Sequence, residues 1–172
     1  MRKAIAFLPD RVRLIDIGAF HGELFEALGP RLVEGFGLEP LLTETLHGRN
    51  FTVEPGFFPD RRPAGGNWDA ITLLAVLEHI PRAQQVPLAE ACHDLLAPGG
   101  RIIITVPSRA VDTILGILKF LHLIEGMSLE EHYGFEPGDT VKIFAGPRFK
   151  LLHHSRFQLG LNHLYVFEKQ PA

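Results

Sequence analysis

Residues 13–28 read RLIDIGAFHGELFEAL, and the change of period within that stretch decides the fold. Val12, Leu14, Ile15 and Ile17 make an apolar run of strand type, Gly18 and Gly22 interrupt it, and Leu24, Phe25 and Leu28 then recur at helical spacing. The expectation is a strand, a glycine turn and a helix. Gly18 admits backbone angles closed to residues with a Cβ, both glycines let a ligand approach the main chain, and the helix opening near Gly22 aims free N–H groups at that ligand. A turn that merely joins a core strand to a helix, with no ligand, is the plainer alternative.

Outward from this unit the alternation repeats. Residues 32–38 form a second apolar run that ends in Glu39-Pro40, placing Glu39 at the carboxyl end of a strand about 20 positions beyond the turn. A carboxylate there offers two acceptor oxygens to the two donors of a ribose diol. A short helix is expected over 41–48, a third strand over 51–53, a turn-rich loop over 60–67 and a fourth strand over 68–74, apolar on both faces as a central parallel strand should be. Residues 84–96 read as an amphipathic helix burying Val86, Leu88, Ala91, Cys92 and Leu95, ended by Ala97-Pro98-Gly99-Gly100. A fifth strand follows over 101–106.

Residues 110–124 are a hydrophobic helix at the ligand edge, 125–134 a loop, 135–145 a helix, and 149–157 with 162–168 a terminal antiparallel hairpin. Helices between successive strands indicate an α/β three-layer sandwich with a Rossmann-like, mostly parallel sheet of seven strands. One domain over residues 1–172 is expected, with 110–134 as a lid or substrate-facing insertion.

Known glycine motifs narrow the ligand. The dinucleotide fingerprint needs a glycine where Phe20 stands, and the phosphate loop needs a Gly-Lys-Ser/Thr ending that is missing. The turn instead resembles the first motif of class I S-adenosylmethionine (SAM) dependent methyltransferases: a strand ending in Asp or Glu, one apolar residue, then GxGxG, here with Phe20 in the middle position. WDAITLLAVLEHIP, from Trp68 to Pro81, resembles the fourth motif of that family. LLAPGGRIIITVPS resembles its helix, PGG turn and fifth strand. The ordered motifs cover residues 12–168 and are most similar to the small single-domain methyltransferase 11 and 23 groups.

That resemblance implies a strand order of 3-2-1-4-5-7-6 with strand 7 antiparallel, and SAM as cofactor with S-adenosylhomocysteine as its product. It implies Gly18 and Gly22 at the methionine moiety, Asp16 fixing the turn or the amino group, Glu39 on the ribose, Leu74 near the transferred methyl and, with Ala75, beside the methionine part and the substrate mouth, and Ala19, Phe20 and Pro40 as further cofactor-binding residues. Related enzymes carry an acidic residue after the third strand, where this chain has Gly56-Phe57-Phe58. Phe57 or Phe58 packs on the adenine, or Asp60 takes its edge, or both rings are core, the last being favoured. His132 is the first candidate for a general base and His79 the second. The implied reaction is in-line methyl transfer to a small molecule, an apolar one being an option. A methyltransferase-like partner subunit without catalysis is the alternative, supported by Phe20 and the missing acid; an NAD-dependent oxidoreductase fits the glycine pattern less well.

Composition excludes other classes. Net charge is −3 with Lys and Arg scattered, so no basic stripe for nucleic acid is present. Cys92 is the sole cysteine, which leaves no internal disulfide. The opening MRKAIAFLPD is short for a signal peptide, and Asp112, Gly116, Lys119 and His122 interrupt the 110–124 stretch, which falls short of the ~20 residues a membrane span needs. A cytoplasmic protein without a membrane span is expected, with a homodimer through 110–124 as an option. His153, His154 and His163 suggest metal ligands, but adjacent strand residues point to opposite faces, so no metal site is expected.

Overall fold

The computed structural model describes residues 1–108 and 135–171. The strand-turn-helix unit forms as the period change predicts: β1 (Val12–Ile17) leads through the glycine turn into α2 (Glu23–Leu28), with the short α1 (Arg2–Ile5) before it. Then come β2 (Leu32–Glu39), β3 (Leu46–His47), β4 (Phe51–Pro55), β5 (Trp68–Leu74), α3 (Arg82–Leu95), β6 (Leu96–Pro107), α4 (Asp139–Phe144), β7 (Phe149–Phe157) and β8 (Asn162–Lys169). The strands join in one sheet of order β3-β4-β2-β1-β5-β6-β8-β7. With the two-residue β3 set aside, this is the expected 3-2-1-4-5-7-6. β1, β2, β4, β5 and β6 pair in parallel, and β8 runs antiparallel to both β6 and β7.

Alternation along the central strands feeds two cores. Ile15, Ile17, Ile71, Leu73, Ile102 and Ile104 pack with Leu88 and Cys92 of α3 and Phe144 of α4. Leu14, Ala70 and Ile103 point the other way, against Ala4, Leu24, Phe25 and Leu28 of the first two helices. A sheet covered on both faces is the arrangement that parallel strands require. The N-terminal arm is tied down by backbone carbonyls: Arg31 Nη2 donates to Leu8 O at 2.6 Å and Arg101 Nη1 to Phe7 O at 3.1 Å.

Several local expectations are corrected. Residues 41–48 are no helix: Leu46–His47 pairs antiparallel with β4, closed by Gly48 N donating to Phe51 O at 2.9 Å. Leu41 is 83% exposed and only Leu42 and Leu46 pack against the core, so a helix this short would bury too little to repay its nucleation cost. In α3 Val86 lies outside the buried stripe, and Gln85 is inside it, its Nε2 donating to Ile80 O at 3.0 Å. β6 is longer than expected because the PGG turn is drawn into its pairing, with a register shift opposite Trp68 and Ala70. The helix expected over 135–145 is confined to Asp139–Phe144, where Asp139 accepts from Glu136 N and from Lys142 Nζ. The hydrophobic helix of 110–124 and the loop of 125–134 lie outside the described residues.

Close backbone packing behind the turn makes a first prediction. A Cβ on Gly37 would stand 2.7 Å from Ala19 Cβ and 2.9 Å from Val53 Cγ2. Gly37→Ala should therefore lose about 1–3 kcal/mol in urea unfolding, the usual cost of overpacking a core. An unchanged midpoint would show that this contact can relax.

Candidate functional site

Chain order reverses between β1 and β5, and in open α/β sheets ligands bind at the carboxyl edge of such a switch point. A cavity of about 490 Å³ lies there. Ile17 and Gly18 line it from the end of β1, Leu38 and Pro40 from β2, Phe57, Phe58 and Asp60 from the loop after β4, and Val76 and His79 from the segment after β5. Every one of these strands ends at this edge because the parallel sheet aligns their carboxyl ends.

The glycine turn forms the floor. Gly18, at φ 77°, and Ala19 both donate their N–H to Leu38 O, at 2.8 and 3.0 Å. A Cβ on Gly18 would run into the Val76 side chain, so glycine is what lets the two loops close together. Phe20 adopts φ 50°, the left-handed conformation that a glycine takes freely, and its ring is 54% exposed, edge-on to His21. Such a conformation costs a bulky residue on the order of 1–3 kcal/mol and persists only where its surroundings hold it. Glu39 does the holding: Phe20 N donates to its Oε2 at 3.0 Å and Leu41 N to its Oε1 at 3.1 Å. One carboxylate thus clamps the loops that follow β1 and β2. Ala75, at φ 60° beyond β5, is a second strained residue at this edge, and its N–H donates to Thr105 O at 2.9 Å.

The described part of the site is acidic. Asp16 is 4% exposed at the end of β1 and accepts a hydrogen bond from Thr72 Oγ1 at 2.6 Å. Burial pushes its carboxyl up to about 7, the Thr72 bond opposes this, and the charges of Glu23 and Glu39 add to the rise. An acidic group held near neutrality by burial and like charge is suited to a cationic ligand group.

The sequence-predicted residues divide into groups. Gly18, Pro40, Phe57 and His79 line the cavity. Asp16, Ala19, Phe20, Gly22 and Glu39 build the turn beneath it: Gly22, at φ 88°, caps α2, and Ala19 is buried in the core. Leu74 and Ala75 stand at the end of β5, but the wall they were expected to form is made by Val76, Ile80 and Pro81. Ile80 and Pro81 belong to the LEHIP segment and Val76 directly precedes it, and the position of that segment after a parallel strand was the available signal. Phe57 is 68% exposed at the mouth, outside the core in which Phe58 is packed. His132 lies outside the described residues.

Of the three histidines in the hairpin, His153 faces Phe7 and hydrogen-bonds with Ser155, whereas His154 and His163 meet each other. Among the described residues no three His, Cys, Asp or Glu side chains converge as a metal would need.

Comparison with known proteins agrees with this geometry. A family model described as a methyltransferase domain matches residues 1–156. The chain belongs to this methyltransferase family, whose members use SAM. It is 29% identical over 144 residues to a ubiquinone biosynthesis O-methyltransferase of Shewanella pealeana, a match covering 76% of this chain and 60% of the relative. The chain therefore spans less than two thirds of that relative's length. Among solved structures it is similar to a SAM-dependent methyltransferase of Mesorhizobium loti, with TM-score 0.74 and 14% identity over 98% of this chain and 96% of the other. It is also similar to magnesium protoporphyrin IX methyltransferase of Synechocystis with bound S-adenosylhomocysteine, with TM-score 0.66 and 17% identity over 98% and 78%. These two likenesses are of fold.

The residues present fit the cofactor. The cavity falls within the ~300–1,000 Å³ typical of small-molecule sites. Gly18, which has no room for a Cβ beside Val76, brings bare main chain to its lining, and the acidic set of Asp16, Glu23 and Glu39 matches a ligand that carries an ammonium and a sulfonium.

Two outcomes follow. Because the folded Asp16 keeps its proton up to about pH 7 and the unfolded one releases it near 3.8, the folded state binds more protons in that window and loses stability as pH rises through it. Asp16→Asn removes that loss, so the variant should gain on wild type from pH 4 upward and level off above 7, by an amount on the order of 2–4 kcal/mol in urea titrations. Equal stability at all pH values would show the carboxyl ionises normally. Phe20→Gly, relieving the left-handed strain against a smaller entropic cost, should leave stability unchanged or raise it by up to about 1 kcal/mol in thermal unfolding.

Proposed function

We propose that this domain transfers the methyl group of SAM to a hydroxyl oxygen of a small, largely apolar acceptor. The observation that carries the reading is the Glu39 clamp, which joins the turn after β1 to the loop after β2 and fixes a carboxylate at the carboxyl edge, between the cavity-lining Leu38 and Pro40. Each Glu39 oxygen accepts a single N–H, so each retains a lone pair for a ribose hydroxyl. Asp16 with its acidic neighbours attracts the ammonium of the methionine moiety. Phe57 covers the adenine face from the mouth, and Asp60, on the same wall, accepts from its amino group in place of the missing acid. The oxygen specificity rests on the O-methyltransferases among the relatives.

When bound, SAM supplies an electrophilic methyl on sulfur. The protein's work is to hold the acceptor oxygen in line, keep water out and provide for the departing proton, and much of the rate comes from that positioning. His79, in the cavity wall, and His132 remain the base candidates of the sequence motifs. The reading as an inactive partner subunit loses its two supports: Phe20 keeps the glycine conformation of the turn, and Asp60 stands in the cavity wall. No helix among the described residues is long and apolar enough to cross a membrane.

Isothermal titration with SAM and S-adenosylhomocysteine tests the reading. Micromolar binding is expected, with Glu39→Ala weakening it about tenfold or more, the loss associated with charge-assisted hydrogen bonds. Affinity for SAM should also rise with pH through 7 as Asp16 ionises. Absence of binding by the folded wild-type protein would overturn the assignment.

A further inference from the structure

The terminal hairpin carries a histidine pair that the cavity does not use. His154 on β7 and His163 on β8 meet diagonally across the ladder, with Nε2 of the first 3.0 Å from Nδ1 of the second. Their planes differ by 12° and their centroids are 5.3 Å apart, so the rings meet edge to edge with the nitrogens in a common plane. This is the geometry of a direct N–H···N hydrogen bond. A metal ion on that line, at ~2.0–2.1 Å from each nitrogen, would need them about 4 Å apart. Tyr165, the ladder partner of His154, lies flat on it at 4.3 Å and 5°, and its hydroxyl is 3.4 Å from the same Nδ1. The stack fixes the plane of the pair.

Placement gives the pair its meaning. His163 is 7% exposed and lies opposite Val106 near the carboxyl end of β6, whereas His154 is open to solvent. By alternation with Tyr165 it is on the sheet face that also holds Ile17, Leu38 and Phe58 of the cavity. β6 separates β8 from β5, which sets His163 about 10 Å, two strand spacings, from the end of β5. The charged and titratable neighbours are Arg156, opposite His163 in the ladder, His153 and Tyr165. Burial first, and then the charges of Arg156 and the adjoining histidines, hold both imidazoles below the ordinary histidine value. Both are therefore neutral at neutral pH, each with a lone pair to accept a proton.

We propose that His163 is the base that takes the acceptor's hydroxyl proton and that His154 relays it to solvent. This rests on the hydroxyl-directed reading above. The acceptor O–H gives its proton to Nε2 of His163 while its oxygen bonds the methyl carbon and the carbon–sulfur bond breaks, leaving the electron pair on sulfur. The Nδ1 proton of His163 passes to Nε2 of His154, which releases its own Nδ1 proton to water. One hydroxyl and one sulfonium give one methyl ether, one thioether and one solvated proton, with no oxidant or reductant. Water returns the two rings to their starting tautomers. His163 is the catalytic residue and His154 the positioning one.

The test uses the protein with SAM and two probe phenols, catechol and protocatechuate, with methyl ethers read by mass spectrometry across neutral pH. His163→Gln should lower kcat about 100-fold, within the range of general-base effects, and leave S-adenosylhomocysteine affinity unchanged by calorimetry. His154→Gln should lower kcat less and shift the acidic limb of the pH profile. Wild-type kcat and pH profile in both variants overturn the proposal. If neither phenol is methylated, a nitrogen NMR titration of the histidine side chains decides: a relay pair titrates in two coupled steps, and His154→Gln moves the His163 transition. An unmoved transition with intact S-adenosylhomocysteine binding overturns the relay alone, whereas loss of that binding in the wild type overturns the methyltransferase reading with it.

Discussion

A parallel sheet buried on both faces satisfies its backbone everywhere except where its strands end. In this chain that constraint shapes the molecule. The two cores cover β1, β5 and β6 from opposite sides, so the N–H and carbonyl groups of the loops beyond β1, β2, β4 and β5 must find partners at the carboxyl edge. Leu38 O accepts from both Gly18 and Ala19, and the Glu39 carboxylate accepts from Phe20 and Leu41. The edge is thus built by satisfying strand ends, and the cavity is the space that remains between the loops so fixed.

Rigidity at that edge is obtained with strained backbone. Phe20 and Ala75 occupy the left-handed region on either side of the cavity, each anchored by a hydrogen bond to a neighbouring strand or loop. Strain of this kind survives because the surrounding core overdetermines it. The same rigidity carries an electrostatic consequence, since the charges of Glu23 and Glu39 act on Asp16 and add to the effect of its burial. A buried carboxyl raised in this way gains from a cationic neighbour, which favours its ionised form.

The far half of the sheet has a different character. β7 and β8 place two imidazoles edge to edge, buried His163 against exposed His154, with the Tyr165 ring lying flat on His154. Proton movement suits such an array, because each ring nitrogen already points at its neighbour and little reorganisation is needed. β5 and β6 lie between the glycine turn of β1 and this hairpin.

Much of this was legible in the residue order. The period change around Gly18 and the double-sided apolar strands determined the α/β class and the place of Glu39, because each is a local pattern with a single economical fold, while the strand order came from the family resemblance carried by the LEHIP and PGG segments. The short β3, the exposure of Val86 and the length of β6 were decided by packing, which overrides weak helical and turn propensities where little apolar surface is buried. Sequence spacing also hid the meeting of His154 with His163: same-strand alternation separates neighbours such as His153 and His154, while the diagonal contact depends on the register of the hairpin. Likewise Val76 against Gly18 and Asp60 in the cavity wall depend on which loops a parallel sheet brings to one edge. Order along the chain determined the elements; only their docking decided which side chains share a site, because that choice is made by register and burial across strands far apart in sequence.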